Sequence, residues 1–433
     1  MQAVIMAGGK GTRMGSLSND TPKAMLKIGN KPISLHQIEC LKNAGITDII
    51  FVIGHLGENI KNYYKNGKNF GVNISYFEET EPLGTGGALY YLKNTIKEDF
   101  IVLYGDVFID IDFKKMINFH KNFKATATLF VHPNSHPFDS DIIICDSNNK
   151  VKKYLSKDGK REEYYTNLVN AGIFIFSNKI FKYILQPKKI HLDREIIIEM
   201  IENSENIIAY KSTEYVKDIG TLERYEIVNN DYKNKITHNR NLSNKQKCIF
   251  LDRDGTINKY VGFLTDINKM ELLDRVSTAI KDINNSEYLC IVITNQPIIA
   301  RGESSVGNLD LINKKMETLL GFDGAYINDL FYCPHHPHSG YDGEIKELKI
   351  NCSCRKPNTG MIDEAIKKYN IDPQSSYIIG DSTLDIQLGK NTNIKTVLVN
   401  TGEAGKDSKY DVIPDIKATD LYDAIQKIFK RKV

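Results

Sequence analysis

Two short apolar runs, each breaking directly into a loop of small or acidic residues, constrain this chain more than any other feature. Val4–Ala7 leads into Ala7-Gly8-Gly9-Lys10-Gly11-Thr12-Arg13-Met14, and Cys248–Leu251 leads into Asp252-Arg253-Asp254-Gly255-Thr256. An apolar run bounded by turn signals reads as a strand buried on both faces. Around the first run, Ile49–Ile53, Ile74–Phe77 and Ile101–Tyr104 alternate with helix-spaced stretches such as Ile38, Leu41 and Ala44. Around the second, Leu289–Ile293, Tyr377–Ile379 and Thr396–Val399 alternate with the helical patterns Asp363–Tyr369 and Leu421–Lys430. This alternation predicts an α/β protein of two doubly wound, mostly parallel domains, with ligands at the carboxyl ends of the strands. A length of 433 residues suits that number, and no internal repeat relates the halves. Residues 233–247 carry five basic side chains, no acid and two large apolar residues. They read as a linker between domains 1–232 and 248–433, or as the solvated end of a helix continuing from Tyr225. Either reading marks a boundary.

Composition removes several classes of function. Lys and Arg total 57 against 54 Asp and Glu, a net charge of +3, which gives no case for nucleic acid or an acidic membrane as partner. No apolar run approaches the roughly 18 residues a membrane helix needs. The N-terminus enters its glycine loop at once, so the expected location is cytoplasmic and the expected partners are small molecules. An oligomer is compatible with the sequence. Seven cysteines in such a chain point to metal binding or burial before disulfides.

In the first half, successive amides of the Gly8–Gly11 loop make an anion nest, and Arg13 and Lys23 add fixed positive charge. The loop has neither the Walker nor the Rossmann spacing. A second glycine loop, Pro82-Leu83-Gly84-Thr85-Gly86-Gly87-Ala88, opens a helix. Asp106 ends an apolar strand, and Asp218 stands far along the chain in Lys217-Asp218-Ile219-Gly220-Thr221. Two carboxylates and a phosphate chain are a usual way to hold Mg²⁺. Together these motifs resemble the sugar-1-phosphate nucleotidyltransferases over residues 1 to about 232. The resemblance implies attack of a sugar-1-phosphate oxygen on the α-phosphate of an NTP, which needs charge neutralisation and in-line positioning and no general base. It assigns Arg13 and Lys23 to the phosphates, Asp106 and Asp218 to Mg²⁺, and Gly8, Gly9, Gly11, Thr12 and Gly84 to the nucleotide. Asn170 and Gly172 of Asn170-Ala171-Gly172 would face the sugar. Relatives carry a Glu-Lys pair where this chain has Ser156-Lys157. Lys157 would still reach a phosphate, and Glu162 and Glu163 are the candidate replacements for the missing Glu.

In the second half, Asp252 is an ionised oxygen nucleophile at neutral pH if unperturbed, and a metal offsets its repulsion from a phosphate. Thr294-Asn295, Arg355-Lys356-Pro357 and Gly380-Asp381-Ser382-Thr383-Leu384-Asp385 supply a hydroxyl, an amide, cations and a further carboxylate. In this order the pieces resemble the haloacid-dehalogenase-like phosphatases. That resemblance makes Asp252 the nucleophile of an aspartyl-phosphate and Asp254 the general acid and base, with a raised pKa expected from crowding by other carboxylates. Thr294 and Lys356 hold phosphoryl oxygens, and Asp252, Asp254 (through its carbonyl) and Asp381 hold Mg²⁺. Independently, Cys333-Pro334-His335 and Cys352-Ser353-Cys354 provide three thiolates and an imidazole, the composition of a structural Zn²⁺ site. Zinc-bearing members of this group include heptose 1,7-bisphosphate 7-phosphatases and histidinol-phosphate phosphatases. Leu251–Asn258, Thr294–Gln296, Ala300-Arg301-Gly302 and Cys354-Arg355-Lys356-Pro357 resemble the heptose type, which puts Asn295, Arg301 and Arg355 on the substrate side. Pro297-Ile298, where Ser-Gly is usual, and Ser382, where some carry Lys, depart from it.

A heptose 1,7-bisphosphate that loses its 7-phosphate becomes a sugar 1-phosphate, the kind of substrate the first half consumes. The first half resembles the D-glycero-α-D-manno-heptose 1-phosphate guanylyltransferases most, implying an α-anomer and GTP. Two other readings stay open on the residues alone. One is the same pair of chemistries on another sugar or nucleotide; the other makes one half an inactive binding module.

Overall fold

The structure, a computed structural model, describes residues 1–9 and 20–430. By its internal contacts the chain divides into two compact units. The first comprises Met1–His132, Ser140–Lys160 and Leu168–Ser243; the second comprises Pro133–Asp139, Arg161–Asn167 and Asn244–Val433.

In the first unit, strand Gln2–Ala7 is dry on both faces. Ala3, Ile5 and Ala7 pack with Ile49, Phe51, Ile101 and Leu103, while Val4 packs on the opposite side with Ile50, Val52, Phe100 and Val102. That is why the run shows no polar alternation. The strand lies between Asp48–Ile53 and Phe100–Tyr104, parallel to both, and Asn73–Glu78 adds a further parallel strand. Beyond Phe100–Tyr104 the sheet changes character. Val169–Phe176 runs antiparallel to Phe100–Tyr104 and to Ala127–His132. The nine-stranded sheet is therefore mixed, where a mostly parallel one was expected. The segment before Val169 contributes the antiparallel pair Ile142–Cys145 and Val151–Leu155 and no crossover helix, and antiparallel strands need none.

The second unit matches the expectation closely. Six parallel strands run in the order Asp329–Cys333, Tyr288–Asn295, Lys247–Leu251, Tyr377–Gly380, Lys395–Val399, Ile416–Ala418. Chain order reverses on either side of Lys247–Leu251, which makes its carboxyl end the switch point where ligands bind. No helix among the described residues is long and apolar enough to cross a membrane.

The stretch read as a linker is folded. Helix Leu222–Lys233 runs into it, a short helix Ile236–Asn239 follows, and Thr237 and Leu242 are buried. The helix-end reading was the better one, because one apolar residue and a few hydrogen bonds suffice to anchor a polar segment. The anchor is Glu214, which is itself buried. Its carboxylate accepts the amides of Asp112 at 2.6 Å and Leu242 at 3.1 Å, and the Ser212 hydroxyl at 3.0 Å. Burial outweighs those donors and pushes its pKa from 4.5 up to about 7. A carboxyl raised in the fold is favoured there in its protonated form. Its contribution is complete below the unfolded value and is lost as pH rises through the folded one. Between pH 4.5 and 7 the melting temperature of wild type should therefore fall relative to that of Glu214→Gln; parallel circular-dichroism melting profiles would refute this.

Candidate active sites

The carboxyl ends of the central strands of the second unit deliver Asp252, Thr294, Asn295 and Asp381 to one place. Local sequence fixes the rest. Ser382 caps helix Thr383–Thr392 in a reciprocal box, its hydroxyl donating to Asp385 Oδ2 at 2.7 Å and its amide to the same oxygen at 3.3 Å. Lys356 Nζ lies 2.7 Å from both Asp252 Oδ1 and Asp385 Oδ1 and donates to the Ile293 carbonyl at 3.2 Å. Asn295 sets that lysine: its Oδ1 accepts the Lys356 amide at 3.0 Å and its Nδ2 donates to the Lys356 carbonyl at 3.2 Å. Thr294 Oγ1 accepts from Gln296 Nε2 at 2.9 Å.

Oxygens of Asp252, Asp381 and Asp385 fall within 4.8 Å of one another. Burial, opposed by Lys356 and reinforced by Asp385, pushes Asp252 up to about 7. Burial together with Asp252 and Asp385 pushes Asp381 up to about 8. Hard oxygen donors crowded to this degree suit a divalent cation such as Mg²⁺. The backbone also shapes this cradle, since a Cβ at Gly402 (φ +58°) would come 1.9 Å from Asp381 Oδ2.

Asp254 differs from the expectation in its pKa. Its carboxylate is committed to Arg253, Asn258 and Gln296, so only its carbonyl is left for a metal. Burial acts to raise its pKa, but the Arg253 charge and these donors outweigh burial and hold it below the usual carboxylate range. The neighbour that sets it is a cation, not the expected carboxylates. Sequence reading passed over Arg253, Asn258 and Gln296, although all three lie in motifs it quoted. It placed Asp385 in a motif without giving it a role.

Cys333, His335, Cys352 and Cys354 converge, with their ligand atoms within 4.8 Å of one another. Sγ of Cys354 lies 3.2 Å from that of Cys333, 3.3 Å from that of Cys352 and 3.3 Å from His335 Nδ1. Cys333 Sγ lies 3.5 Å from Cys352 Sγ and 3.6 Å from His335 Nδ1. A tetrahedron with metal–sulfur bonds of about 2.3 Å has edges of roughly 3.75 Å, so the donor set fits Zn²⁺ with small adjustment. Arg355 Nη1 donates to the His335 carbonyl at 3.1 Å. The Arg301 guanidinium is held between the rings of Phe263 and Tyr341, 4.3 and 4.2 Å from their centroids, and pairs with Glu303 at 2.6 Å.

In the first unit, Gly11, Thr12 and Arg13 lie outside the described residues. Gly8 and Gly9 follow strand Gln2–Ala7, and a Cβ on Gly8 would come 2.2 Å from Glu79 Oε2, an acceptor the sequence did not single out. Gln37 donates to the carbonyls of Tyr104 at 2.9 Å and Val107 at 2.7 Å, fixing the turn that carries Asp106. The strands Val107–Asp110 and Tyr215–Asp218 pair antiparallel, and the Ile219 amide donates to the Asp106 carbonyl at 2.8 Å. Asp106 and Asp218 thus share one end of a ladder. Each carboxylate meets a cation of its own: Lys23 at 2.9 Å from Asp106, and Arg224 at 2.6 Å from both oxygens of Asp218. Asn170 Oδ1 accepts the Gly172 amide at 3.3 Å, and Lys157 donates its amide to Asp141 at 2.8 Å. A Cβ on Gly84 (φ +73°) would come 2.5 Å from the Ile190 carbonyl oxygen. Glu162 and Glu163 fall in the Arg161–Asn167 segment, which groups with the second unit.

Residues 2–235 match the nucleotidyl transferase family and residues 353–424 the HAD-hydrolase-like family. The first half is 34% identical over 223 residues to mannose-1-phosphate guanylyltransferase catalytic subunit beta of Drosophila melanogaster, covering 51% of this chain and 59% of that protein. The chain thus spans little more than half the length of this relative. The second half is 43% identical over 160 residues to D-glycero-alpha-D-manno-heptose-1,7-bisphosphate 7-phosphatase of Photorhabdus laumondii, covering 37% of this chain and 85% of that protein. It is 38% identical over 161 residues to D-glycero-beta-D-manno-heptose-1,7-bisphosphate 7-phosphatase of Haemophilus ducreyi, covering 37% and 86%.

Elemental analysis should find one zinc per chain held by the Cys333, His335, Cys352 and Cys354 cluster. Cys354→Ser should lose it and lower the melting temperature by several degrees, since site formation is coupled to folding. Full zinc content in that variant would exclude this ligand set.

Proposed function

We propose, for a chain that belongs to the nucleotidyl transferase family over residues 2–235 and to the HAD-like phosphatases over its second half, that the two units catalyse consecutive steps of heptose activation. The second unit removes the 7-phosphate of D-glycero-D-manno-heptose 1,7-bisphosphate. The first then transfers a nucleotidyl group, with GTP favoured, to the heptose 1-phosphate. The observation that carries this reading is the meeting of Asp252, Lys356, Asp381 and Asp385 at the switch point of one parallel sheet.

Asp252 Oδ attacks phosphorus while the phosphorus–oxygen bond to C7 breaks, its electron pair going to the sugar oxygen. That oxygen takes a proton from the Asp254 carboxyl, giving the free alcohol and an aspartyl-phosphate. The Arg253 pair holds that carboxyl low at rest, so the negative charge of the arriving phosphate must first raise its pKa for it to carry the proton. Water then attacks the same phosphorus, its proton passes to Asp254, and Asp252 departs as carboxylate with phosphate released. Lys356 and Thr294 hold phosphoryl oxygens throughout. In the first unit the sugar phosphate oxygen attacks the α-phosphorus of the NTP and pyrophosphate leaves. Lys23 and Arg13 supply positive charge there, and Glu79, whose Oε1 accepts the Leu83 amide at 3.1 Å, lies beside Gly8 through Oε2, an acceptor for an N–H of the base. Asp252, Asp381 and the Asp254 carbonyl in one unit, and Asp106 and Asp218 in the other, would hold Mg²⁺, which would supply the charge neutralisation both transfers require.

The proposed α-anomer rests on the resemblance of the first half, since the named phosphatase relatives include both anomers. Supplied with heptose bisphosphate, Mg²⁺ and each NTP in turn, the protein should release phosphate first and pyrophosphate second, fastest with GTP. Asp252→Asn should cut phosphate release by at least ~10³-fold while leaving pyrophosphate release from supplied heptose 1-phosphate intact. Phosphate release without pyrophosphate for every NTP would leave the phosphatase alone standing.

A further inference from the structure

Tyr104 ends strand Phe100–Tyr104, at the carboxyl edge of the parallel half of the first sheet, where a fold of this kind collects ligands. A Cβ on Gly172 would come 2.6 Å from its ring. Its hydroxyl is closed off from water and finds no hydrogen-bond partner among the described residues, although Asp193 and Thr85 lie beside it. Asp193 belongs to the helical turn Leu192–Ile196, which the second glycine loop holds in place. The Leu192 amide donates to Thr85 Oγ1 at 2.9 Å, and the Gly86 amide donates to the Ile190 carbonyl at 2.9 Å. The Asp193 carboxylate is largely buried, and burial pushes its pKa up. The donors it has are backbone amides of its own turn, that of Arg194 reaching Oδ1 at 3.1 Å.

Asp141 adds a second negative charge close enough to act on Asp193. Its Oδ2 accepts the Tyr154 hydroxyl at 2.8 Å, its Oδ1 accepts the Lys157 amide at 2.8 Å, and Arg194 Nε lies 3.5 Å from Oδ2. Tyr154 also bonds Asn170, whose amide donates to the Asp141 carbonyl at 3.3 Å. Two carboxylates thus face one guanidinium, which also pairs with Asp158 at 3.1 Å. A carboxylate offers about four acceptor positions, so the pair holds more acceptors than the chain supplies donors. Buried polar atoms left open in this way call for a partner.

We propose that Asp193 and Asp141 form the hydroxyl-accepting wall of the sugar pocket in the first unit, with Asp193 the main determinant of which sugar is taken. The inference rests on the nucleotidyltransferase reading above and names the residues that select its sugar. A surplus of acceptors matches a polyol, whose hydroxyls donate and carry no charge. Asp193 is not fully enclosed, so a hydroxyl can reach it. Hydrogen bonds to a charged acceptor are the stronger kind, and a site built around a substrate hydroxyl rejects an analogue without it.

The test uses the full chain, Mg²⁺, GTP and whichever of heptose 1-phosphate and mannose 1-phosphate wild type turns over faster, with pyrophosphate release as the signal. Asp193→Asn is isosteric and keeps an acceptor for the Arg194 amide. It should lower kcat/KM for the sugar phosphate by ~10²-fold and leave KM for GTP within ~2-fold. Wild type should lose a similar ~10²-fold on at least one monodeoxy form of that sugar phosphate. On that analogue Asp193→Asn should lose less than ~3-fold more, because the bond it breaks is already gone. Asp141→Asn, which keeps an acceptor for the Lys157 amide, should repeat the pattern at ~10-fold. In either variant that melts like wild type, equal losses on the parent sugar and on every monodeoxy analogue would overturn the proposal, as would a matching rise in KM for GTP. Wild type that accepts every monodeoxy analogue as well as the parent would overturn it without any variant. Wild type that releases no pyrophosphate from either sugar 1-phosphate with any NTP would instead overturn the nucleotidyltransferase reading.

Discussion

Negative charge gathered at the end of a dry strand is the constraint from which the second unit follows. Oxygens of three carboxylates lie within 4.8 Å of one another, with Asp385 and Asp381 buried. Two like charges about 4 Å apart repel by roughly 4 kcal/mol even at an effective dielectric near 20. One buried lysine touches two of them, and the strain shows in the raised pKa values of Asp252 and Asp381. The parallel sheet makes the cluster affordable in geometric terms. Its switch point brings three strand ends together, and the Ser382 box turns Asp385 inward without an added loop.

The first unit meets the same chemical requirement by other means. Asp106 and Asp218 keep 35% and 46% of their side-chain surface exposed, and each is paired with a cation. Exposed ion pairs contribute only about 0–1 kcal/mol, so they exchange readily for a metal ion or a phosphate. The buried Lys356 pairs do not exchange at that cost. A lysine held between two carboxylates stays protonated and stays in place, which suits the phosphoryl-holding role proposed for it. The two units therefore represent a yielding and a rigid solution to one electrostatic problem.

Much of this was legible in the sequence, for reasons that differ by element. Strand Gln2–Ala7 and the four central strands of the second unit were readable because burial on both faces leaves continuous apolar runs, whereas Asp329–Cys333 and Ile416–Ala418, partly exposed, were not. The zinc cluster was readable because thiolates at short spacing have few other uses in loops. The mixed half of the first sheet was not, because antiparallel strands such as Val169–Phe176 carry the same apolar signature as parallel ones. The stretch after Lys233 was left open between a linker and a helix end because its anchor, Glu214, is an acid whose burial no local pattern announces. Arg253 was hidden by its setting: an arginine between two aspartates reads as solvated charge, and only the packing shows it has no exposed surface.

Sparing one phosphate of the proposed bisphosphate is then a matter of orientation. Both esters carry the same group, and the anomeric oxygen is the better leaving group, so reactivity alone would favour the wrong one. The discrimination must come from fixed charge that receives the spared phosphate at a distance from Asp252. Arg301 and Arg355 have the required rigidity. The first lies over two rings, and the second is tied to the carbonyl of His335 in the Cys/His cluster. On the proposed reading, a metal held by the Cys333, His335, Cys352 and Cys354 cluster would do more than hold a loop, because it would stiffen the His335 carbonyl on which Arg355 rests.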